Sequence, residues 1–122
     1  MQYTRLYTDA AGVTHFAEVV VPVSPAAYAP PAPPLHVSTF LEATRVGFLQ
    51  EASGWDGGWH PSPRRQFVLV LGGAFEIEVG DGERRAFGPG AVLLLEDTTG
   101  RGHASRFTGG EDCVVALVHL PG

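Results

Sequence analysis

Phe67-Val68-Leu69-Val70-Leu71-Gly72-Gly73-Ala74-Phe75-Glu76-Ile77-Glu78-Val79-Gly80-Asp81-Gly82 carries the pattern that decides the fold class. Phe67 to Leu71 is continuously apolar, which suits a strand covered on both faces. Gly72-Gly73 interrupts it. Ala74 to Val79 then alternates with period two, so Phe75, Ile77 and Val79 share one face while Glu76 and Glu78 point to water. Gly80-Asp81-Gly82 is a hairpin signal, and Glu83 to Phe87 returns as the next strand. Gly88-Pro89-Gly90 forms another turn, ahead of Ala91 to Leu95, whose composition is that of a buried strand.

Working outward, Val19 to Val23 and Val37 to Phe40 are short, β-branched or aromatic, and bounded by Gly, Pro or Ser. Thr44 to Leu49 alternates weakly, and Val114 to His119 is the last strand expected. A helix around Ala26 to Tyr28 is excluded by Pro25, Pro30, Pro31, Pro33 and Pro34. Residues 24–34 read instead as an extended, partly polyproline segment that crosses the surface or a dimer seam. No repeat, charge block or linker divides the chain, and 122 residues suit one domain. The expectation is a single all-β domain over 1–122, a small antiparallel β-barrel or jelly roll, with an N-terminal strand arm.

Charge and composition narrow the function. Eight Arg and no Lys stand against 13 acidic residues, a formal net charge of -5. That sign disfavours nucleic acid as a partner. Without lysine there is neither a Schiff-base amine nor a P-loop lysine. The single cysteine, Cys113, permits no intrachain disulfide, and its apolar neighbours suggest a buried hydrophobe rather than a reactive thiol. No apolar run approaches the ~20 residues of a membrane helix, and Met1-Gln2-Tyr3-Thr4-Arg5 lacks a signal-peptide layout. A cytoplasmic protein with no membrane partner is expected.

Two segments carry the chemistry. From Gly54 to Gly73, the residues Gly54, His60, Gln66 and Gly73 stand at the spacing of the first motif of the cupin family, with Ser62 where a second His belongs and Gln66 where Glu belongs. From Gly90 to Phe107, Gly100 and His103 match the second motif, with Thr98 in place of Pro and Phe107 in place of Asn. Gly90 lies two residues early, as if that strand carried an insertion or bulge. The chain thus resembles the cupins, small β-barrels or jelly rolls whose intact motifs hold a divalent metal with three His and one Glu. The resemblance implies an interior site where His60, Gln66 and His103 would be the remaining ligands for Zn, Fe, Ni or Mn. A neutral amide in place of a carboxylate should weaken that affinity.

The residues support convergence without the family. Gln66, Val68 and Val70 share a strand face, placing one polar group on an apolar lining, while the prolines of Pro61-Ser62-Pro63 keep that stretch out of a central strand. His60 and Gln66 then flank a bend, and His103 arrives from another hairpin. The bland alternative for the two histidines is a hydrogen-bonded interior pair. Glu96, or Asp97 beside it, is a candidate mouth carboxylate for acid or base work; the alternative is bonding to turn amides, Arg101 or Arg106. Arg64 and Arg65 could clamp an anionic substrate or simply be solvated. Trp59 and Trp55 could line the rim or pack in a core or dimer contact. His15 and His36 read as structural or exposed, and His119 as a satisfied or edge histidine.

Three functions remain. The first is an enzyme with metal-assisted lyase, isomerase or cyclase chemistry on a carbonyl-bearing or aromatic metabolite. The second is metal-free, with His60 and His103 as base and acid and Gln66 orienting the substrate. The third is a non-catalytic metabolite-binding module. Oxygenase chemistry is disfavoured because the two-His-one-carboxylate face is incomplete. A lining of Val68, Val70, Phe75, Ile77 and Leu94 would favour a partly hydrophobic ligand. Edge strands and the proline-rich arm suggest a homodimer.

Overall fold

A computed structural model describes residues 1–122. The chain forms twelve strands and no helix: β1 (Gln2–Thr8), β2 (Thr14–Val20), β3 (Ser24–Ala26), β4 (Leu35–Val37), β5 (Arg45–Glu51), β6 (Asp56–His60), β7 (Gln66–Gly72), β8 (Ala74–Glu78), β9 (Arg84–Phe87), β10 (Val92–Leu95), β11 (His103–Thr108) and β12 (Cys113–His119). They build a six-stranded sheet ordered β2-β1-β10-β7-β12-β5, a four-stranded sheet ordered β6-β11-β8-β9, and a small β3–β4 ribbon. The all-β jelly-roll expectation therefore holds, as a sandwich of two sheets rather than a closed barrel. One pairing departs from the antiparallel expectation: β1 runs parallel to β10, Thr4 opposite Leu93. Those strands are far apart in sequence, so no hairpin imposes a direction on them.

The two sheets meet over a core formed by alternate residues. Leu6, Phe16, Val68, Val70, Leu93, Leu95, Cys113 and Val115 from the larger sheet pack with Phe75, Ile77 and Phe87 from the smaller one. Phe75 lies between Phe87 and Phe107, at ring-centroid separations of 5.5 and 6.2 Å. The chain passes from one sheet to the other at Gly73, whose φ is +70°. A Cβ there would lie 2.7 Å from Cys113 Cα, so only glycine permits the crossing.

Several boundaries differ from the expectation. The strand placed at Val19 to Val23 ends at Val20, just ahead of Pro22, and that at Val37 to Phe40 keeps only Val37, at the end of β4. The proline-rich segment begins and is followed by two short strands, with Ser24 opposite Val37 and a cis bond between Pro30 and Pro31 in the connection. On β7 the side chains of Gln66, Val68 and Val70 are buried, but Leu71 is 54% exposed. The outer face of this strand is thus only partly covered, by contacts within its own sheet such as Tyr3 edge-on to Phe67.

Candidate functional site

His60 ends β6 and His103 begins β11, and the two residues are register partners across the antiparallel pair. Their rings lie 4.8 Å apart between centroids. A glycine allows this approach. Gly102, at φ +74°, turns the chain into β11 with its Cα against the His60 carbonyl and Pro61 Cα, where no Cβ could fit. Both imidazoles face the space between the sheets, a cavity of about 270 Å³ whose lining includes Val68, Phe75, Ile77, Leu93, Leu95 and Val115. Of the apolar lining expected, Val68, Phe75 and Ile77 are in place. Val70 and Leu94 are buried elsewhere, and Leu93 and Leu95 take the wall position because the alternation on β10 runs through the odd residues.

Asp97 is the residue that organises this site. It is fully buried, and its Oδ2 accepts a hydrogen bond from His103 Nδ1 at 2.6 Å. Its Oδ1 accepts from Ser62 Oγ at 2.7 Å, and its backbone oxygen accepts from Ser62 N at 2.9 Å. A carboxylate can only accept, so the proton of neutral His103 sits on Nδ1 and Nε2 is left bare. His60 Nδ1 donates to the Gly58 carbonyl at 3.0 Å, which frees its Nε2 in the same way. Ser62, which stands at the second-His position of the motif, serves Asp97 from behind the site.

Gln66 is buried, lines the cavity, and its Oε1 has no hydrogen-bond partner. Directly across the β7–β12 pair is His119, which also lines the cavity and whose buried Nδ1 is likewise unpartnered. His119 was expected to be a satisfied or edge histidine; it is neither, because β12 is internal to its sheet and its inward alternation, Val115-Leu117-His119, ends at the cavity. Ser105, two residues beyond His103, adds a buried hydroxyl to the wall.

Three expected site residues lie elsewhere. Glu96 faces away from the cavity: its carboxylate pairs with Arg5 Nε and, at 2.6 Å, with Arg65 Nε. Partial burial raises its pKa, but the two arginine hydrogen bonds outweigh that and hold it below the ordinary carboxylate value. Glu96 is thus an ionised surface anchor rather than a catalytic acid. Arg64 is exposed on a separate surface groove with Thr44, Arg45 and Thr98. Trp59 points to the outer face of the smaller sheet, where the Arg101 guanidinium stacks 3.7 Å above it. Trp55 is the tryptophan at the cavity, packed on Phe107. His15 is structural, bridging Asp9 and Asp81. Cys113 is the buried hydrophobe expected, its thiol pKa pushed up by burial.

The donor set fits a resident divalent metal poorly. No three His, Cys, Asp or Glu side chains cluster in a way that could hold one. The buried carboxylate nearest the histidines, Asp97, spends its oxygens on His103 and Ser62, and Gln66 brings no charge to offset the ion's. No helix is long and apolar enough to cross a membrane.

No protein-family model matches the chain, and no curated protein does. Among solved structures, a cupin domain from Bordetella pertussis aligns over 84% of this chain and 96% of its own, at 13% identity and a TM-score of 0.49. A conserved protein of unknown function from Streptococcus pyogenes aligns over 70% and 71%, at 21% identity and a TM-score of 0.47. A protein assigned to ethanolamine utilization in Salmonella typhimurium aligns over 99% and 96%, at 15% identity and a TM-score of 0.42. With its two facing sheets and with both motif histidines at one interior point, the chain has a cupin-like fold.

Proposed function

We propose that the protein takes a small, largely apolar metabolite bearing a carbonyl or hydroxyl group and catalyses a metal-free proton transfer on it, of the isomerase or cyclase type. The observation that carries this reading is the buried Asp97–His103 hydrogen bond of 2.6 Å behind the cavity wall. A base needs a bare nitrogen facing substrate and a partner that stabilises the cation formed when it takes a proton. His103 Nε2 is the first and Asp97 is the second. His60, when protonated, returns a proton from Nε2 across a gap set by the 4.8 Å ring separation. Gln66 Oε1 accepts a hydrogen bond from a substrate hydroxyl or amine, which satisfies an otherwise orphaned buried oxygen.

The metal-assisted form of the reaction finds no such support in the donor set. Simple binding without turnover has one observation in its favour, the two unpartnered atoms of Gln66 and His119, which call for a polar ligand whether or not it reacts.

Hydrogen–deuterium exchange separates these readings. Small enolisable ketones and phenols are incubated in D2O with chelator-treated protein and followed by proton NMR. His103→Gln and Asp97→Asn should each slow protein-catalysed exchange by about 100-fold. Equal rates in wild type and His103→Gln would refute the assignment of His103. Ligands that bind, shift cavity resonances and never exchange would establish the binding-only reading instead.

A further inference from the structure

The cavity between the sheets has one open side. Of its lining residues, Leu49, Trp55 and Pro63 are exposed, whereas the others are buried or half-buried. Those three frame the mouth, and Trp55 is the largest of them. It lies in the turn between β5 and β6, where Gly54 N donates to the Phe107 carbonyl and Phe107 N to the Trp55 carbonyl, each at 2.8 Å. The backbone of the turn is thus pinned to β11. The indole packs on Phe107, with ring centroids 4.8 Å apart, and Trp55 stays 41% exposed. Its far edge occupies a gap in β6. A Cβ on Gly57 would overlap Trp55 Cη2, lie 2.8 Å from Cζ3 and come within 3.1 Å of His60 Cε1. Gly57 does not have a positive φ, so the backbone makes no demand for glycine there. The space of the missing side chain is used by the indole, which borders the same gap as the His60 ring.

The volume behind the indole sets a limit on what can enter. An apolar cavity of about 150 Å³ holds a benzene ring. The cavity here, of about 270 Å³, has room for one ring with a short substituent and not for two linked rings. We propose that Trp55 is the specificity-determining residue of the cavity: its indole, seated in the space left by Gly57, restricts the site to ligands with a single ring. A longer ligand has to pass through the place that the indole fills, because the remaining walls are strands of the two sheets. Removing the indole, or pushing it out of its seat, extends the cavity through the mouth. The inference rests on the reading of this cavity as the substrate site and does not require the proton transfer.

Acetophenone and 4-acetylbiphenyl, the same ketone lengthened by a second ring, are titrated into the protein and followed by amide chemical shifts, which also report folding and the place of binding. Wild type should bind acetophenone the more tightly, although the longer ketone has more apolar surface to bury. Trp55→Ala should tighten 4-acetylbiphenyl binding by about tenfold or more and reverse the order. Gly57→Ala keeps Trp55 in the chain and only displaces its ring, so it should move the ratio the same way by a smaller factor. A wild-type preference for the biphenyl, or an unchanged ratio in either variant, would overturn the role of Trp55. Binding of neither ketone by any of these proteins would overturn it together with the reading of the cavity. Size-selective binding without deuterium exchange would uphold Trp55 and refute only the proton transfer.

Discussion

Gln66 is the residue where a single atom pair separates two chemistries. Its neutral amide lines a cavity that has three imidazoles, His60, His103 and His119, and no free carboxylate. Gln66→Glu supplies the missing negative charge, so the variant should retain zinc or nickel after dialysis where wild type loses it, measured by elemental analysis. Without metal the same variant should melt lower than wild type, because it buries an unpaired carboxylate. Stoichiometric metal in dialysed wild type would contradict the reading of the donor set. At this scale the sequence contained more than spacing alone extracts. The inward alternation Leu93-Leu95 on β10, carried one step further, reaches Asp97 and turns Glu96 outward, as the structure has it. The alternation Val115-Leu117 reaches His119 in the same way. What alternation could not supply is the partner: that Asp97 meets Ser62 and His103 depends on a turn packing against a distant bend.

At the scale of elements, the hairpin turns are held by side chains. Asp9, in the β1–β2 turn, accepts from Ala11 N and Val13 N and bonds His15 Nε2 at 2.7 Å. His15 Nδ1 reaches Asp81 in the β8–β9 turn at 2.9 Å, so one ring ties a hairpin of each sheet to the other. The hydrogen bond to Asp9, followed by that to Asp81, raises the His15 pKa, and both carboxylates are lowered. A raised folded-state pKa means that the stabilisation is complete below the unfolded value of about 6.5 and is lost as pH rises through the folded value. The lowered carboxylates lose their share in acid. His15→Gln should therefore reduce Tm more at mildly acidic pH than at alkaline pH, read by thermal melts across pH. A pH-independent difference would show that the ring acts by shape alone. The hairpin turns themselves were legible from Gly80-Asp81-Gly82, but the tie between turns of different sheets was not, since it joins residues 66 positions apart.

For the whole molecule, stability rests on the interior shared by the two sheets. Leu6 is fully buried among residues of that core. Leu6→Ala should cost about 2–5 kcal/mol in chemical denaturation. A much smaller loss would mean that the strand β1, inserted between β2 and β10, is not integral to the core. The cavity lies beside this core, walled by strands from both sheets, and so its apolar lining has two roles. It completes the hydrophobic interior and surrounds the His60–His103 pair with apolar side chains.

The sequence by itself determined the run of strands from β7 to β10 and β12, the inward faces of β7 and β8 and the absence of lysine chemistry, and its motif spacing pointed to the approach of His60 and His103, because period-two alternation and motif spacing are local properties of a chain. Tertiary structure decided which carboxylate serves His103, where Trp59 and Arg64 point, that the sheets form a sandwich, and that β5 is left as an open edge. Those outcomes depend on which distant strands become neighbours, and on the burial that follows, neither of which is encoded within any one segment.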